Sequence, residues 1–143
     1  MDSDPDNISQ ITPLRRGERS DRMGKMSREK GKRFERELAK TFRDYGYKTA
    51  RRTSQYCGKS GDASDVIGLP GIHVEAKHQE RMQLYDWMDQ AKHDSSGTGN
   101  KPVVFHKRNN HEILVSMQLD TFFDFYREWE AGNGLHKDEQ ENP

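Results

Sequence analysis

The sequence predicts one α/β domain, a central mixed five-stranded sheet flanked by helices in the order α-β-β-β-α-β-β-α. Three observations lead there. Helical periodicity recurs in three segments, and five short strand-forming runs lie between them. Four of those runs form two hairpins, one about Leu69-Pro70-Gly71 and one about Asn109-Asn110. The 143 residues suffice for one core with loose ends.

Residues 1–26 mix Asp, Ser, Pro, Gly and Arg without periodicity and are expected to form a flexible basic and polar arm. Ser27 is the expected N-cap of the first helix, in which Phe34, Leu38, Phe42 and Tyr45 repeat on one face and Gly46 closes the end. A strand over 47–53 follows, then the Gly/Ser-rich loop SQYCGKSGDA, then DVIGL and GIHVEAKH as a hairpin. Met82, Leu84, Tyr85, Met88 and Ala91 mark a second helix between Glu80 and Asp94. KPVVFHKR and HEILVSMQ form the second hairpin, with Asn-Asn able to take positive φ. Asp120 or Thr121 caps a last helix rich in aromatic residues. The expected domain therefore spans 27–130, and 131–143 reads as a disordered acidic tail.

Composition narrows the function. The chain is 30% hydrophobic and 34% charged, with a mean hydropathy of −1.20. The single Cys57 rules out an intrachain disulfide and any cysteine-built zinc site. The polar N-terminus is unlike a signal peptide, and no apolar run reaches the roughly 20 residues that span a bilayer. A cytoplasmic protein without membrane or organic cofactor is expected. The formal net charge is zero, yet residues 14–52 hold 15 Lys/Arg against 6 Asp/Glu. Such a local basic stripe is the footprint of a phosphate-backbone binder, although a solvated helix face gives the same count.

The first hairpin carries the chemistry. With the turn centred on Pro70, Asp65 faces Glu75, and directly opposed residues project from one face with Cβ atoms about 4.5–5.5 Å apart. Alternation adds His73 and Lys77 to that face and sends Ile72, Val74 and Ala76 to the other. Two such carboxylates repel unless a cation lies between them. Oxygen ligands suit Mg²⁺ or Mn²⁺, and a lysine alongside could orient water or stabilise developing negative charge. A surface ion pair among Asp65, Glu75 and Lys77 explains the pattern equally well. Glu35 borders the buried face of the first helix and could reach over the sheet, whereas Glu37 points further towards solvent.

Taken in order, Lys30-Gly31, Glu35-Arg36-Glu37-Leu38, Arg51-Arg52, the loop Gly58 to Gly61, Asp65-Val66-Ile67 and Glu75-Ala76-Lys77 resemble the PD-(D/E)XK nuclease superfamily. Within it they resemble the archaeal-type Holliday junction resolvases and their phage-borne relatives, over roughly residues 28–118. The resemblance implies a restriction-endonuclease-like fold and a Mg²⁺-dependent endodeoxyribonuclease, with Mn²⁺ able to substitute. It implies that Asp65, Glu75 and the Ala76 carbonyl ligate the metal, with Glu35 at the helix-glutamate position, through water if not directly. Lys77 would act on the attacking water. Lys30, Lys32, Arg33, Arg51, Arg52 and Lys59 would hold DNA, and a homodimer would nick branched DNA in pairs at four-way junctions. Ser64 departs from the family by standing at its proline, and Ser54, Ser60 and Ser64 are all candidates for the family's loop serine.

Other readings are weaker. His106, Asn109, Asn110 and His111 sit around one hairpin, whereas an HNH nuclease spreads such residues over a ββα unit. His73-Val74-Glu75 echoes zinc deaminases but lacks their cysteine pair. The cluster Phe122, Phe123, Phe125, Tyr126 and Trp129 reads as core or dimer interface before it reads as a base-stacking platform. The alternatives to a resolvase are a restriction- or repair-type nuclease acting on duplex, flap or single-stranded DNA, and a non-catalytic DNA-binding protein.

Overall fold

The computed structural model describes residues 13, 15–53 and 64–135, so Lys59, Ser54, Ser60 and the Gly58–Gly61 pattern lie outside the described residues. Helix α1 (Arg16–Asp44) buries Phe34, Leu38, Ala39 and Phe42, a single stripe at helical spacing. Burying each large apolar side chain there stabilises the fold by about 1.5–3 kcal/mol. The helix ends in a Schellman motif. Gly46 N–H donates to Arg43 O at 2.9 Å and Tyr47 N–H to Phe42 O at 3.0 Å.

The N-terminal end of α1 departs from expectation, since it starts at Arg16 and not after Ser27. Residues 16–26 are therefore helical. Arg15 N–H donates to the Glu18 carboxylate at 3.0 Å, which satisfies one orphan donor of the first turn and places an acid at the positive end of the dipole. Apolar periodicity cannot reveal this extension, because almost all of it is exposed.

Among the described residues five strands follow, β1 (Arg51–Arg52), β2 (Val66–Ile67), β3 (Ile72–His78), β4 (Lys101–Lys107) and β5 (Leu114–Met117), with helix α2 (Leu84–Ser95) between β3 and β4. The sheet has the order β1-β2-β3-β4-β5 and is mixed, as expected. All neighbours are antiparallel except β3 and β4, which run parallel because α2 carries the chain back across the sheet. Helix α1 covers one face over Val66 and Val74, and α2 covers the other by packing Trp87 and Ala91 against Val104 of β4. β3 is thus buried on both sides. In the β4–β5 turn Asn110 takes φ +60°.

Helix α3 (Leu119–Gly132) runs two residues past the expected boundary. Phe122, Phe123, Phe125, Tyr126 and Trp129 are between 36% and 55% exposed, so within this chain they are not core. Ring contacts join Phe122, Phe123, Tyr126 and Trp129 into one aromatic surface.

Gly68 holds the β1–β2 edge together. Its φ is +100°, and a Cβ there would lie 2.5 Å from Ala50 Cα. Gly68→Ala is expected to destabilise the protein by about 2–4 kcal/mol through backbone strain and clash. Gly71→Ala has open space and a φ of +79°, and should cost only about 1 kcal/mol. Urea denaturation of the two variants checks the ranking.

Candidate active site

The hairpin register is the expected one. Val66 pairs with Val74, which sets Asp65 opposite Glu75, and Asp65 N–H donates to Val74 O at 2.8 Å. Ser64 acts as a buried clamp in place of a proline. Its hydroxyl donates to Val66 O at 2.7 Å and accepts Val74 N–H at 2.8 Å. Thr53 closes the other side, with Oγ1 donating to Ser64 O at 2.6 Å. The short segment that carries Asp65 is thereby fixed by backbone and hydroxyl bonds on both flanks.

Asp65 Oδ2 accepts Ala76 N–H at 2.8 Å. Its carboxyl is nonetheless pushed up to about 7, first by burial and then by the negative charge of Glu75, with Glu35 adding to the effect and Lys77 opposing it. The four sequence-predicted residues therefore share one electrostatic environment. Glu75 is 2% exposed. Its Oε1 lies 3.3 Å from Lys77 Nζ, and its Oε2 has no hydrogen-bond partner among the described residues. Glu35 enters from α1 and accepts Arg52 Nε–H at 2.5 Å. Arg52, expected on DNA, is thus engaged with Glu35 inside the protein.

Lys77 Nζ also donates to Gln90 Oε1 at 3.0 Å. Sequence reasoning missed Gln90, an exposed polar position of α2 that no periodicity distinguishes. It likewise missed Asp94, one turn further on, although His73, two residues before Glu75, was already on the expected face. A divalent cation fits this donor set, because the Asp65 carboxyl, raised by burial and then by the Glu75 charge, and the buried Glu75 carboxylate opposite it are both groups that a positive ion stabilises.

A basic groove between α1 and the end of β3 is lined by Lys30, Arg33, Phe34, Glu37, His78 and Asn109. Glu80 ties its walls together, accepting from Lys30 Nζ at 3.5 Å and from Asn109 N–H at 2.8 Å. His78 bonds Asn109 at 2.9 Å, and burial together with the Lys30 charge lowers its pKa. A continuation lined by Arg22, Lys25 and Arg33 runs along the unexpected part of α1. Arg51 is exposed on β1, and Lys32 is paired with Glu29 at 3.6 Å.

Comparison with known families decides the class. Residues 26–134 match the family model described as "Phage putative PDDEXK endonuclease". The chain belongs to this family. The match covers three quarters of the sequence, including the hairpin, α1 from Met26 onward and α2. No curated protein and no solved structure shows significant similarity to the chain. Divalent-metal-dependent cleavage of nucleic acid is the chemistry of this PDDEXK endonuclease family. No helix among the described residues is long and apolar enough to cross a membrane.

Proposed function

We propose that the protein is a divalent-metal-dependent endodeoxyribonuclease that resolves four-way DNA junctions by paired nicks. The observation that carries the nuclease reading is the convergence of Glu35, Asp65, Glu75 and Lys77 on one site, with the Asp65 carboxyl raised by burial and then by its acidic neighbours. Asp65, Glu75 and the Ala76 carbonyl hold Mg²⁺, for which Mn²⁺ substitutes, and Glu35 contributes through water. The bound ion supplies charge stabilisation at the phosphoryl oxygens and lowers the pKa of water.

The chain's own groups set the geometry. Gln90 and Glu75 fix the Lys77 ammonium between two oxygen acceptors, so its remaining proton points to the attacking water or to the charge developing on the scissile phosphate. Arg52 holds Glu35 towards the sheet. Lys30, Lys32, Arg33 and Arg51 contact phosphates along α1 and β1, and Lys59 adds to them. The support for a branched substrate is the sequence resemblance together with the long basic groove that runs from the hairpin along α1. The exposed aromatic face of α3 is the surface on which two copies would meet, and paired nicking needs two active sites.

The test incubates the full-length protein with a labelled four-way junction and with matched linear duplex, in Mg²⁺ or EDTA. Symmetric nicks on the junction alone, lost in EDTA, are expected. Light scattering of the same sample should give twice the chain mass of 16.7 kDa. Equal cutting of linear duplex would overturn the junction specificity, and no cutting with either Mg²⁺ or Mn²⁺ would overturn the enzyme.

A further inference from the structure

Beside the proposed catalytic ion, His73, Glu75 and Asp94 form a second constellation. Each offers one ligand atom, and the three atoms lie within 4.8 Å of one another. His73 and Glu75 are each 2% exposed. Their facing atoms, His73 Nε2 and Glu75 Oε2, stand 3.5 Å apart, and neither has a hydrogen-bond partner among the described residues. A buried polar atom left without a partner costs about 1–3 kcal/mol, so two facing each other call for a common partner.

The fold makes this meeting unavoidable. His73 and Glu75 are two apart on β3 and share the face that α2 covers. Trp87, Ala91 and Ser95 form the buried stripe of α2. Gln90 and Asp94 lie one turn apart on the adjacent stripe, so Gln90 meets Lys77 and Asp94 meets the His73–Glu75 pair. Gln90 therefore serves the catalytic lysine, whereas Asp94 serves the other oxygen of Glu75.

We propose that His73 Nε2, Glu75 Oε2 and Asp94 bind a second divalent cation of the imidazole-accepting class, represented by Mn²⁺, with Glu75 bridging the two sites. This rests on the nuclease reading only through Glu75. Donors about 2.0–2.2 Å from a cation lie roughly 3–3.5 Å apart, and the His73–Glu75 separation already matches. Asp94, half-buried in the last turn of α2, offers the third ligand atom within 4.8 Å of the other two. Imidazole shifts affinity from Mg²⁺ towards Mn²⁺ and later first-row ions, whereas the oxygen donors of Asp65 and Glu35 favour Mg²⁺ or Mn²⁺. The two sites differ in selectivity for that reason. An ion at the second one holds the Glu75 carboxylate from behind and fixes the oxygen it presents to the catalytic ion.

The experiment titrates full-length protein with MnCl₂, followed by calorimetry and by electron spin echo modulation, which detects a nitrogen ligand. Wild type should bind two Mn²⁺ per chain with nitrogen modulation. His73→Gln should bind one, without the modulation, and Asp94→Asn should weaken the nitrogen-coupled site at least tenfold. Asp65→Asn should lose the other site and keep the modulation. Absence of nitrogen coupling in wild type, or its persistence in His73→Gln, overturns the proposal. Unchanged affinity in Asp94→Asn, whose half-buried side chain can be exchanged without loss of folding, overturns it independently. If Asp65→Asn keeps both ions and full cutting, the catalytic assignment fails while the second site stands.

Discussion

Lys77→Ala is expected to lower turnover by about two to four orders of magnitude while changing DNA affinity less than about threefold. The reason is the position of the ammonium. Lys77 Nζ is held at 3.3 Å from Glu75 and 3.0 Å from Gln90, and its side chain is only 18% exposed. A lysine so confined makes little contribution to gripping the duplex, which falls to exposed cations along α1 and β1. Lys77→Met keeps the apolar stem and should lose as much activity, which separates charge from packing. Lys77→Arg should not rescue, because the guanidinium is wider and its fork cannot reproduce one compact donor between two acceptors. The salt dependence of binding gives a second readout. Loss of one phosphate contact reduces the slope of log K against log salt by about 0.9 on duplex DNA, and Lys77→Ala should leave the slope unchanged. A reduced slope with unchanged turnover would make Lys77 a DNA-binding residue and remove it from the chemistry.

The hairpin was legible because strand alternation and the Leu-Pro-Gly turn fix the register from local residues alone. Once Pro70 and Gly71 set the turn, Asp65 had to face Glu75. Glu35 was legible for a similar reason, since one turn of helix beside Leu38 and Phe42 leaves it few directions. The start of α1 was not, because a fully exposed helix has no apolar period to read; its helicity follows from continuity with the packed part and from the Glu18 carboxylate at its N-terminus. Strand length was overestimated for 47–53, where only Arg51 and Arg52 enter the sheet. There the chain leaves α1 through the Schellman turn, and Ala50 N–H bonds Tyr47 O at 3.0 Å instead of a neighbouring strand. Gln90 and Asp94 were invisible for a different reason. Their partners lie on β3, and nothing along α2 says which polar residues will face a buried lysine and a buried glutamate. The place of His73 on the carboxylate face was legible but its ligand role was not, because a histidine among oxygen ligands gains meaning only when its nitrogen is buried and without a partner.

Asp65→Asn should abolish cutting and reverse its effect on stability with the metal content of the buffer. Without metal, the folded-state carboxyl titrates near 7, against an ordinary value of 3.8. Between those values the folded protein binds the proton more tightly than the unfolded chain, so stability falls as pH rises through the window and the full penalty is present above about pH 7. The asparagine carries no charge, and its carbonyl can still accept the Ala76 N–H. In EDTA at pH 8 the variant should therefore be more stable than wild type, by on the order of 1–3 kcal/mol, and the gap should close by about pH 4. With saturating Mg²⁺ the order inverts. A ligand at one hundred times its Kd stabilises the protein that binds it by about 2.7 kcal/mol, and only wild type retains the carboxylate that binds it. Cutting should fall roughly a thousandfold or more, since the ion supplies several kcal/mol at the transition state and each decade of rate corresponds to about 1.36 kcal/mol. Thermal melts at pH 4, 6 and 8, each in EDTA and in Mg²⁺, resolve the pattern. If Asp65→Asn is less stable than wild type in EDTA at pH 8, and Mg²⁺ leaves that difference untouched, then Asp65 is a structural acceptor for Ala76 and the proposed ion lies elsewhere.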